Sequence, residues 1–237
     1  MKRYGIRLAV AAAFLAVPLA ASAQDFKFNL LQEEQPDEAF QFLPTKPSFL
    51  IGGRVSSIVG EVDPWVPVDY EDIFKTGWGA FIEGRMMSEV GPMNWMGGYL
   101  SLGWDEYEGK RDTDAYGDSL EPDKMDMITA LIGAKWIYQF APRLYVEGHM
   151  AGGLVYYDDV DGVFTTGWGG SSPVQVFDAT WTGAFDMGAR LGYTRKRFLA
   201  EIGFGMRFQG PPDDADFDFD SWGPVVFALE AAVGFQF

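Results

Sequence analysis

The sequence contains no cysteine and only one histidine, and it has few cations. Without cysteine the chain has no disulfide, no thiol nucleophile and no thiolate metal site. Its 18 Lys and Arg side chains stand against 34 Asp and Glu side chains, which gives a formal net charge of −16. Nucleic-acid affinity comes largely from cations placed on phosphates, so no nucleic acid is expected as a partner.

Long hydrophobic runs are also missing beyond the start of the chain. Residues 1–23 have the pattern of a secretory signal peptide, in which cations precede an apolar run over 8–19 and small residues at 21–23 match a cleavage site. That run is shorter than the ~20 residues that a membrane-spanning helix needs. Residues 24–48 show no clear alternation, and we expect them to form an N-terminal extension ahead of the folded domain.

Apolar residues are nevertheless abundant, because 48% of the chain is hydrophobic and 16% is aromatic, beside 29 glycines. Beyond the N-terminal segments they recur with a period of two, which is typical of β-strands that bury one face. The pattern predicts eight strands, over residues 49–61, 77–88, 94–105, 126–139, 144–157, 179–193, 197–208 and 225–237.

Each predicted strand has one apolar face and one face that carries charge or glycine. In the seventh strand Ile202, Phe204 and Met206 share the apolar face, whereas Glu201 and Arg207 share the other. The apolar face was assigned separately for each strand, so a single charge on the other face is a weak test. The second, sixth and seventh strands each place two charges on the same face, which tests the alternation independently. Over all strands the charged faces hold five cations and five carboxylates: Arg54, Glu83, Arg85, Lys135, Glu147, Asp186, Arg190, Glu201, Arg207 and Glu230.

A soluble β-sandwich would alternate in the same way, but two features favour a closed barrel in lipid. The links after the second, fourth and sixth strands are short, whereas the other links are long, as in up-and-down barrels with short periplasmic turns and long external loops. Aromatic residues also cluster at both strand ends of the apolar face, which matches the two interfaces of a bilayer. The external belt is predicted to hold Trp78, Trp104, Tyr156, Trp181 and Phe208, and the periplasmic belt Phe49, Trp136, Tyr138, Phe140, Tyr193, Phe198, Phe235 and Phe237.

These segments resemble the eight-stranded outer-membrane barrels of the OmpA-transmembrane-domain, OmpX and OmpW type. The resemblance covers residues 49–237, through the pattern of strands and links rather than through a sharp motif. It implies an all-β, antiparallel up-and-down transmembrane barrel in the outer membrane of a Gram-negative bacterium, in contact with outer-membrane lipid and lipopolysaccharide. The terminal strand ending in Phe237 resembles the signal that the barrel-assembly machinery recognises, so the resemblance also implies insertion by that machinery.

The ten charges are expected to point into the barrel, whose eight strands leave room only for side chains. Because unpaired charges in a narrow lumen are costly, five cations and five carboxylates predict an ion-pair network that fills it. A gated pore or a proton path is the alternative interpretation. The single histidine, His149, is expected in this lumen beside Glu147 as a polar filler, although a catalytic or pH-sensing role is possible in principle.

The long links carry most of the acidic residues, and two interpretations of them stay open. They are solvated loops, or they bind Ca²⁺ or Mg²⁺ and bridge to lipopolysaccharide phosphates. The candidate metal site is the alternating run Asp214, Asp216, Asp218 and Asp220, which lacks the glycine and the terminal glutamate of an EF-hand. The aromatic residues among these acids are expected either to contact a surface partner or to pack loop on loop.

The sequence therefore predicts a non-enzymatic outer-membrane barrel with a structural or surface-interaction role, without a cofactor other than a possible loop cation. A narrow, porin-like channel for small or apolar solutes is the second hypothesis, which the OmpW-type resemblance allows. A lipid A-modifying enzyme is the third. The deacylase type of such barrels pairs a lipid-facing histidine with a serine, whereas His149 has no serine beside it and is expected to face inward.

Overall fold

The computed structural model describes residues 47–63, 68–114, 116–214 and 223–237, which form fifteen strands and one short helix. In chain order these are β1 Pro47–Val59, β2 Glu61–Asp63, β3 Val68–Asp69, α1 Tyr70–Ile73, β4 Gly77–Gly91, β5 Asn94–Tyr107, β6 Asp112–Thr113, β7 Ser119–Pro122, β8 Met125–Ala141, β9 Leu144–Tyr157, β10 Val160–Thr165, β11 Ser171–Asp178, β12 Thr180–Arg195, β13 Phe198–Gln209, β14 Asp213–Asp214 and β15 Val225–Gln236. The predicted signal peptide and nearly all of the predicted extension lie outside the described residues.

Eight long strands close into a barrel in the order β1-β15-β13-β12-β9-β8-β5-β4, and every neighbouring pair is antiparallel. Chain neighbours are spatial neighbours around the barrel, and β1 pairs with β15 to close it. This confirms the predicted eight-stranded, antiparallel up-and-down barrel. Closure leaves no barrel strand with an unpaired edge, which is what a sheet in hydrocarbon requires.

The alternation of side chains sets which face of each strand points inward. In β13 the burial pattern switches residue by residue, so that Glu201 and Arg207 are buried while Ile202 and Phe204 are exposed. The observed strands match the predicted segments to within a few residues. The first strand begins at Pro47, two residues before the prediction, and stops before Gly60, whose φ of +127° breaks the extended backbone.

Two-residue turns join the barrel strands at one end, which we call the short-turn end. They consist of Pro92-Met93, Pro142-Arg143 and Lys196-Arg197. Met93 and Lys196 take φ values of 61° and 58°, a left-handed conformation that matches tight hairpins to the twist of their strands. These turns correspond to the predicted short periplasmic links.

The long links at the external end contain secondary structure of their own. Helix α1 and the β2–β3 pair belong to the first link. The other links contribute the strands of a five-stranded sheet in the order β14-β11-β10-β7-β6, which we call the external sheet. Alternation was hard to detect there because the strands are short and separated by turns.

No helix among the described residues is long and apolar enough to cross a membrane.

Candidate functional site

The middle of the barrel is filled by charged side chains that approach one another from opposite walls. All ten residues of the predicted network are buried there. Arg85 lies 2.5 Å from Glu147 and 2.7 Å from Glu201. Lys135 lies 2.8 Å from Glu83 and also contacts Glu147. The alternation therefore brings together cations and carboxylates from four different strands.

Arg190 connects this group to the opposite wall. Its guanidinium lies 3.0 Å from Glu83, 3.4 Å from Glu201 and 2.7 Å from Glu230. Because a guanidinium has five donors in one plane, one arginine can hold several carboxylates at once. Arg190 therefore links carboxylates from β4, β13 and β15.

The external half of this group of charges contains one further residue, Asp105, which is not among the ten predicted members of the network. Asp105 is fully buried and lies 2.5 Å from Arg54 and 3.4 Å from Arg207, whose guanidinium is also 3.4 Å from Asp186. Asp105 directly follows Trp104 of the apolar face, so the alternation already places its side chain on the inward face. It was missed because the strand was ended at this residue and the acids that follow belong to a link.

With Asp105 included, six carboxylates surround five cations in what we call the ion-pair layer. His149 lies in the same layer, with its Nε2 3.3 Å from Asp186 and its Nδ1 3.8 Å from Glu147. Its ring also meets Tyr99 edge to face. The histidine is thus held between acids as predicted by its parity.

Aromatic rings line the charged layer and take up space between its groups. The Phe81 ring lies 5.1 Å from the guanidinium carbon of Arg190 and 5.9 Å from that of Arg54. The ammonium of Lys135 lies 4.5 Å from the centre of the Tyr99 ring. Such cation–π contacts stabilise cations that have lost water. They also leave less room for a continuous file of water.

The external mouth of the barrel is closed by apolar packing, which we call the outer cap. Helix α1 and the external sheet supply its upper part, in which Phe177 stacks on Tyr70 and Phe74 with ring centres 6.1 Å and 6.4 Å apart. Inward residues of the barrel supply the lower part: Ile58, Tyr107, Met125, Met127, Val155, Tyr157 and Val226. The links therefore fold back onto the barrel opening.

A second apolar group occupies the lumen towards the short-turn end. It consists of Met87, Trp95, Ile137 and Tyr145. The hydroxyl of Tyr145 donates a hydrogen bond of 2.5 Å to Glu201, so this group adjoins the ion-pair layer directly. The lumen thus holds apolar, ionic and apolar layers in succession.

The external sheet presents two aromatic side chains at its tip. Tyr116 and Trp168 are 88% and 100% exposed, whereas Tyr70, Phe74 and Tyr107 are buried in the outer cap. The tip is ordered by Asp118, which accepts a hydrogen bond of 2.7 Å from the amide of Gly167 on the facing hairpin. The buried rings therefore pack loop on loop, whereas the two exposed rings at the tip are available to a surface partner.

The candidate metal site falls mostly outside the described residues. Asp216, Asp218 and Asp220 are in the segment that is not described, and Asp214 is described only as the end of β14. Within the described ranges no group of three or more carboxylate, histidine or cysteine side chains is placed to hold a metal ion. At the external edge of the barrel, a hydrogen bond to Glu106 raises the pKa of Lys124.

The outer wall of the barrel is apolar around its whole circumference. Large side chains such as Leu100, Ile132, Ile202 and Leu229 are more than half exposed. Aromatic pairs frame this wall: Trp78 meets Trp104 near the external end, and Phe198 meets Phe235 near the short-turn end. An apolar belt between two aromatic girdles is what a bilayer-spanning barrel presents to lipid.

Comparison with known proteins finds no matching family model and no matching curated protein. Among solved structures, the chain is similar to Ail, the attachment invasion locus protein of Yersinia pestis, in complex with the heparin analogue sucrose octasulfate (11% identity, 82% of this chain, 100% of that chain, TM-score 0.43). It is also similar to Neisserial surface protein A (11%, 81%, 97%, 0.42) and to the outer membrane protease OmpT from Escherichia coli (7%, 84%, 99%, 0.36). The closed barrel and its apolar belt, rather than these distant likenesses, give this chain the architecture of an outer-membrane transmembrane β-barrel.

Proposed function

We propose that this chain is a non-enzymatic, non-conducting outer-membrane barrel that holds a folded sheet outside the membrane for surface contacts. The observation that carries the proposal is the succession of layers in the lumen. The outer cap, the ion-pair layer and the inner apolar group follow one another along the barrel axis. A solute that crosses this barrel must displace all three.

The ion-pair layer is the strongest barrier in this series. Arg85, Lys135 and Arg190 are each within 3.0 Å of at least one carboxylate. Separating a buried pair leaves two charges unpaired in a poorly hydrated space, which costs several kcal/mol. An ion-pair layer of this kind supports a plugged barrel rather than a pore.

The external sheet supports the surface-contact half of the proposal. Its tip is pre-organised, because Asp114 accepts hydrogen bonds of 2.8 Å from the amides of both Tyr116 and Asp118. Exposed aromatic side chains on an ordered scaffold lose little entropy on binding a partner. The acids around them disfavour sulfated or phosphorylated ligands, so the proposed partner is neutral or cationic.

Planar-bilayer recording of the refolded full chain tests the plug. Folding is checked beforehand by gel migration of boiled against unboiled protein. We expect no steady single-channel openings, while a general porin in the same lipid gives them. Steady openings of this barrel would contradict the plug and favour the narrow-channel hypothesis.

The lipid A-modifying hypothesis requires a histidine that reaches lipid. His149 instead lies in the lumen between Glu147 and Asp186, away from the outer wall. This placement supports the non-enzymatic proposal. Mass spectrometry of lipid A from cells with and without the protein is expected to show the same species, and a new acylation state would overturn the proposal.

Glycan-array binding tests the surface role of the tip. The array contains neutral, cationic and sulfated probes, and the chain is compared with a Tyr116→Ser, Trp168→Ser double variant. Binding of neutral or cationic probes that this variant loses is the expected result, with Val163→Ser on the same sheet as the control. Binding that survives in the double variant, or no binding of any probe, counts against contact through the tip.

A further inference from the structure

The outer wall of the barrel has a groove of about 560 Å³ in its short-turn half. Three small residues, Gly53, Ala200 and Ala231, form its floor, and larger apolar side chains such as Leu191 and Ile202 form its walls. The groove opens to the side of the barrel that meets hydrocarbon. It is therefore a recess in an otherwise bulky apolar belt.

Strand register shows that the recess is continuous across neighbouring strands. Gly53 of β1 lies opposite Ala231 of β15, and Ala231 lies opposite Ile202 of β13. Ala200 is two residues from Ile202 on the same face. The floor therefore crosses β1, β15 and β13 diagonally and reaches β12, where Tyr193 lies opposite Ala200. A long, flexible apolar chain fits such a trough.

Four cations lie at the short-turn end beside this groove, and we call them the basic cluster. Arg143 belongs to the β8–β9 turn, and Arg195, Lys196 and Arg197 belong to the end of β12 and the turn after it. The two turns are neighbours, because the amide of Thr194 donates a hydrogen bond of 3.0 Å to the carbonyl of Arg143. All four cations are exposed, and none is ion-paired with another described residue. They are therefore available to an anionic partner.

The groove and the basic cluster meet at the corner between β9 and β12. Tyr193 and Leu144 lie opposite each other there, and both line the groove. Arg195 follows Tyr193 by two residues on the same face, and Arg143 directly precedes Leu144. The apolar recess therefore leads straight to two cations.

On the neighbouring strands β1, β15 and β13, phenylalanine rings occupy the short-turn edge of the outer wall. Phe49, Phe235 and Phe198 lie opposite one another in a row, and the next position in that row, on β12, is Arg195. The row of rings ends where the cation begins. A molecule with an apolar tail in the groove and an anionic head in water has its exit at this corner.

We propose that the groove and the basic cluster bind an anionic phospholipid, with one acyl chain in the groove and the phosphate on the basic cluster. The short-turn end of such barrels faces the periplasm, so the lipid belongs to the phospholipid leaflet. From Leu191 to Arg195 the strand extends about 13 Å, which brings head and tail into register with a bilayer leaflet.

The other two occupants of an apolar wall fit this site less well. A second copy in a two-fold dimer would place the same basic cluster on both sides of the interface, which brings like charges together. Lipopolysaccharide lies in the opposite leaflet, next to the acidic external links. Charge complementarity therefore selects the periplasmic phospholipid.

Native mass spectrometry of the full-length mature chain, refolded in detergent, tests the site. The probes are dioleoylphosphatidylglycerol and dioleoylphosphatidylcholine, which share their acyl chains and differ in net charge. We expect the anionic lipid to be retained about tenfold more strongly, in line with the attraction of several surface cations. Equal retention of the two lipids would overturn the proposal.

Two variants separate the head from the tail. The first variant replaces the whole basic cluster with glutamine (Arg143→Gln, Arg195→Gln, Lys196→Gln and Arg197→Gln together). It is expected to abolish the preference for phosphatidylglycerol. Ala231→Phe, which fills the groove, is expected to weaken both lipids. Gly84→Phe on β4, which is not part of the groove lining, is expected to leave them unchanged; a Cβ at Gly84 meets nothing within 4 Å. Gel migration of unboiled protein confirms that each variant is folded. Unchanged binding in either test variant, or adducts of two protein copies in place of lipid, contradicts the site.

Discussion

Arg54 and Asp105 form a two-point ion pair inside the barrel, with Nε and Nη2 of the guanidinium each 2.5 Å from a carboxylate oxygen. Replacing Asp105 with Asn leaves Arg54 and Arg207 short of a buried negative charge. We expect Asp105→Asn to lower the free energy of unfolding by about 3–5 kcal/mol. Urea unfolding of the refolded barrel in lipid vesicles, followed by tryptophan fluorescence, measures this loss.

The neighbouring residue provides a matched control. Glu106 points the other way and pairs with Lys124 at 2.7 Å, where both side chains are partly exposed. Glu106→Gln is expected to cost less than about 1 kcal/mol, because exposed ion pairs contribute little. Equal losses in the two variants would mean that Asp105 has no special place in the lumen.

Glycine at position 103 makes room for the guanidinium of Arg54. A Cβ at this position would lie 2.6 Å from Nη2 of Arg54 and 2.7 Å from Oγ1 of Thr129. Gly103→Ala is therefore expected to destabilise the barrel by about 1–3 kcal/mol through overpacking. Gly84→Ala, whose new Cβ would face open space, is the control in the same urea titration. If Gly103→Ala left the free energy of unfolding unchanged, the lumen would be less tightly packed at this position than the distances indicate.

The outer cap depends on Phe177, which is almost completely buried against Tyr70 and Phe74. Phe177→Ala is expected to loosen the cap by about 3–5 kcal/mol. The carbonyl of Ile73 in α1 accepts a hydrogen bond of 2.7 Å from the amide of Lys110, so this loosening should expose the Lys110 segment. Limited trypsin digestion should then cut the external links faster.

Trp168→Ala serves as the comparison for the cap, since that side chain is fully exposed. Its digestion is expected to match that of the unaltered chain. If Phe177→Ala resists trypsin equally well, the external sheet does not depend on the cap for its order.

Lipid contact on the outer wall is tested by a charge at its middle. Leu229 of β15 is 70% exposed and lies between the two aromatic belts. Leu229→Arg is expected to lower stability in vesicles by about 2–4 kcal/mol, the cost of a cation on the lipid face of a barrel. Val163→Arg in the external sheet should be nearly neutral by the same measurement. A harmless Leu229→Arg would be incompatible with hydrocarbon at that position.

The sequence predicts the barrel well because each strand repeats one local rule. Inward and outward positions alternate, so the placement of Arg190 or Glu201 follows from counting residues along a single strand. Which cation meets which carboxylate did not follow, because Arg190 lies 3.0 Å from Glu83, more than a hundred residues earlier in the chain. Such pairs depend on strand order and shear, which no single strand encodes.

Asp105 and the external sheet show a different limit. Asp105 sits where a strand passes into a link rich in acids, and local composition indicates solvent. The external sheet joins strands from three separate links, for example Phe177 of β11 opposite Asp214 of β14. Strands as short as β6 and β14 carry no detectable period. Their pairing is decided by the barrel that brings the links together.

Ring closure has a consequence for how this chain matures. The seam joins β1 and β15, the first and last strands of the cylinder, through twelve residue pairs that run from Ser48–Gln236 to Val59–Val225. Until β15 arrives, β1 has an open edge on one side, and open edges invite pairing with other chains. Glu230, which balances Arg190, also arrives only with that strand. Closing the barrel and completing its ion pairs are therefore one event. A barrel that lacks β15 has both an unpaired strand edge and an Arg190 that is missing one of its carboxylate partners.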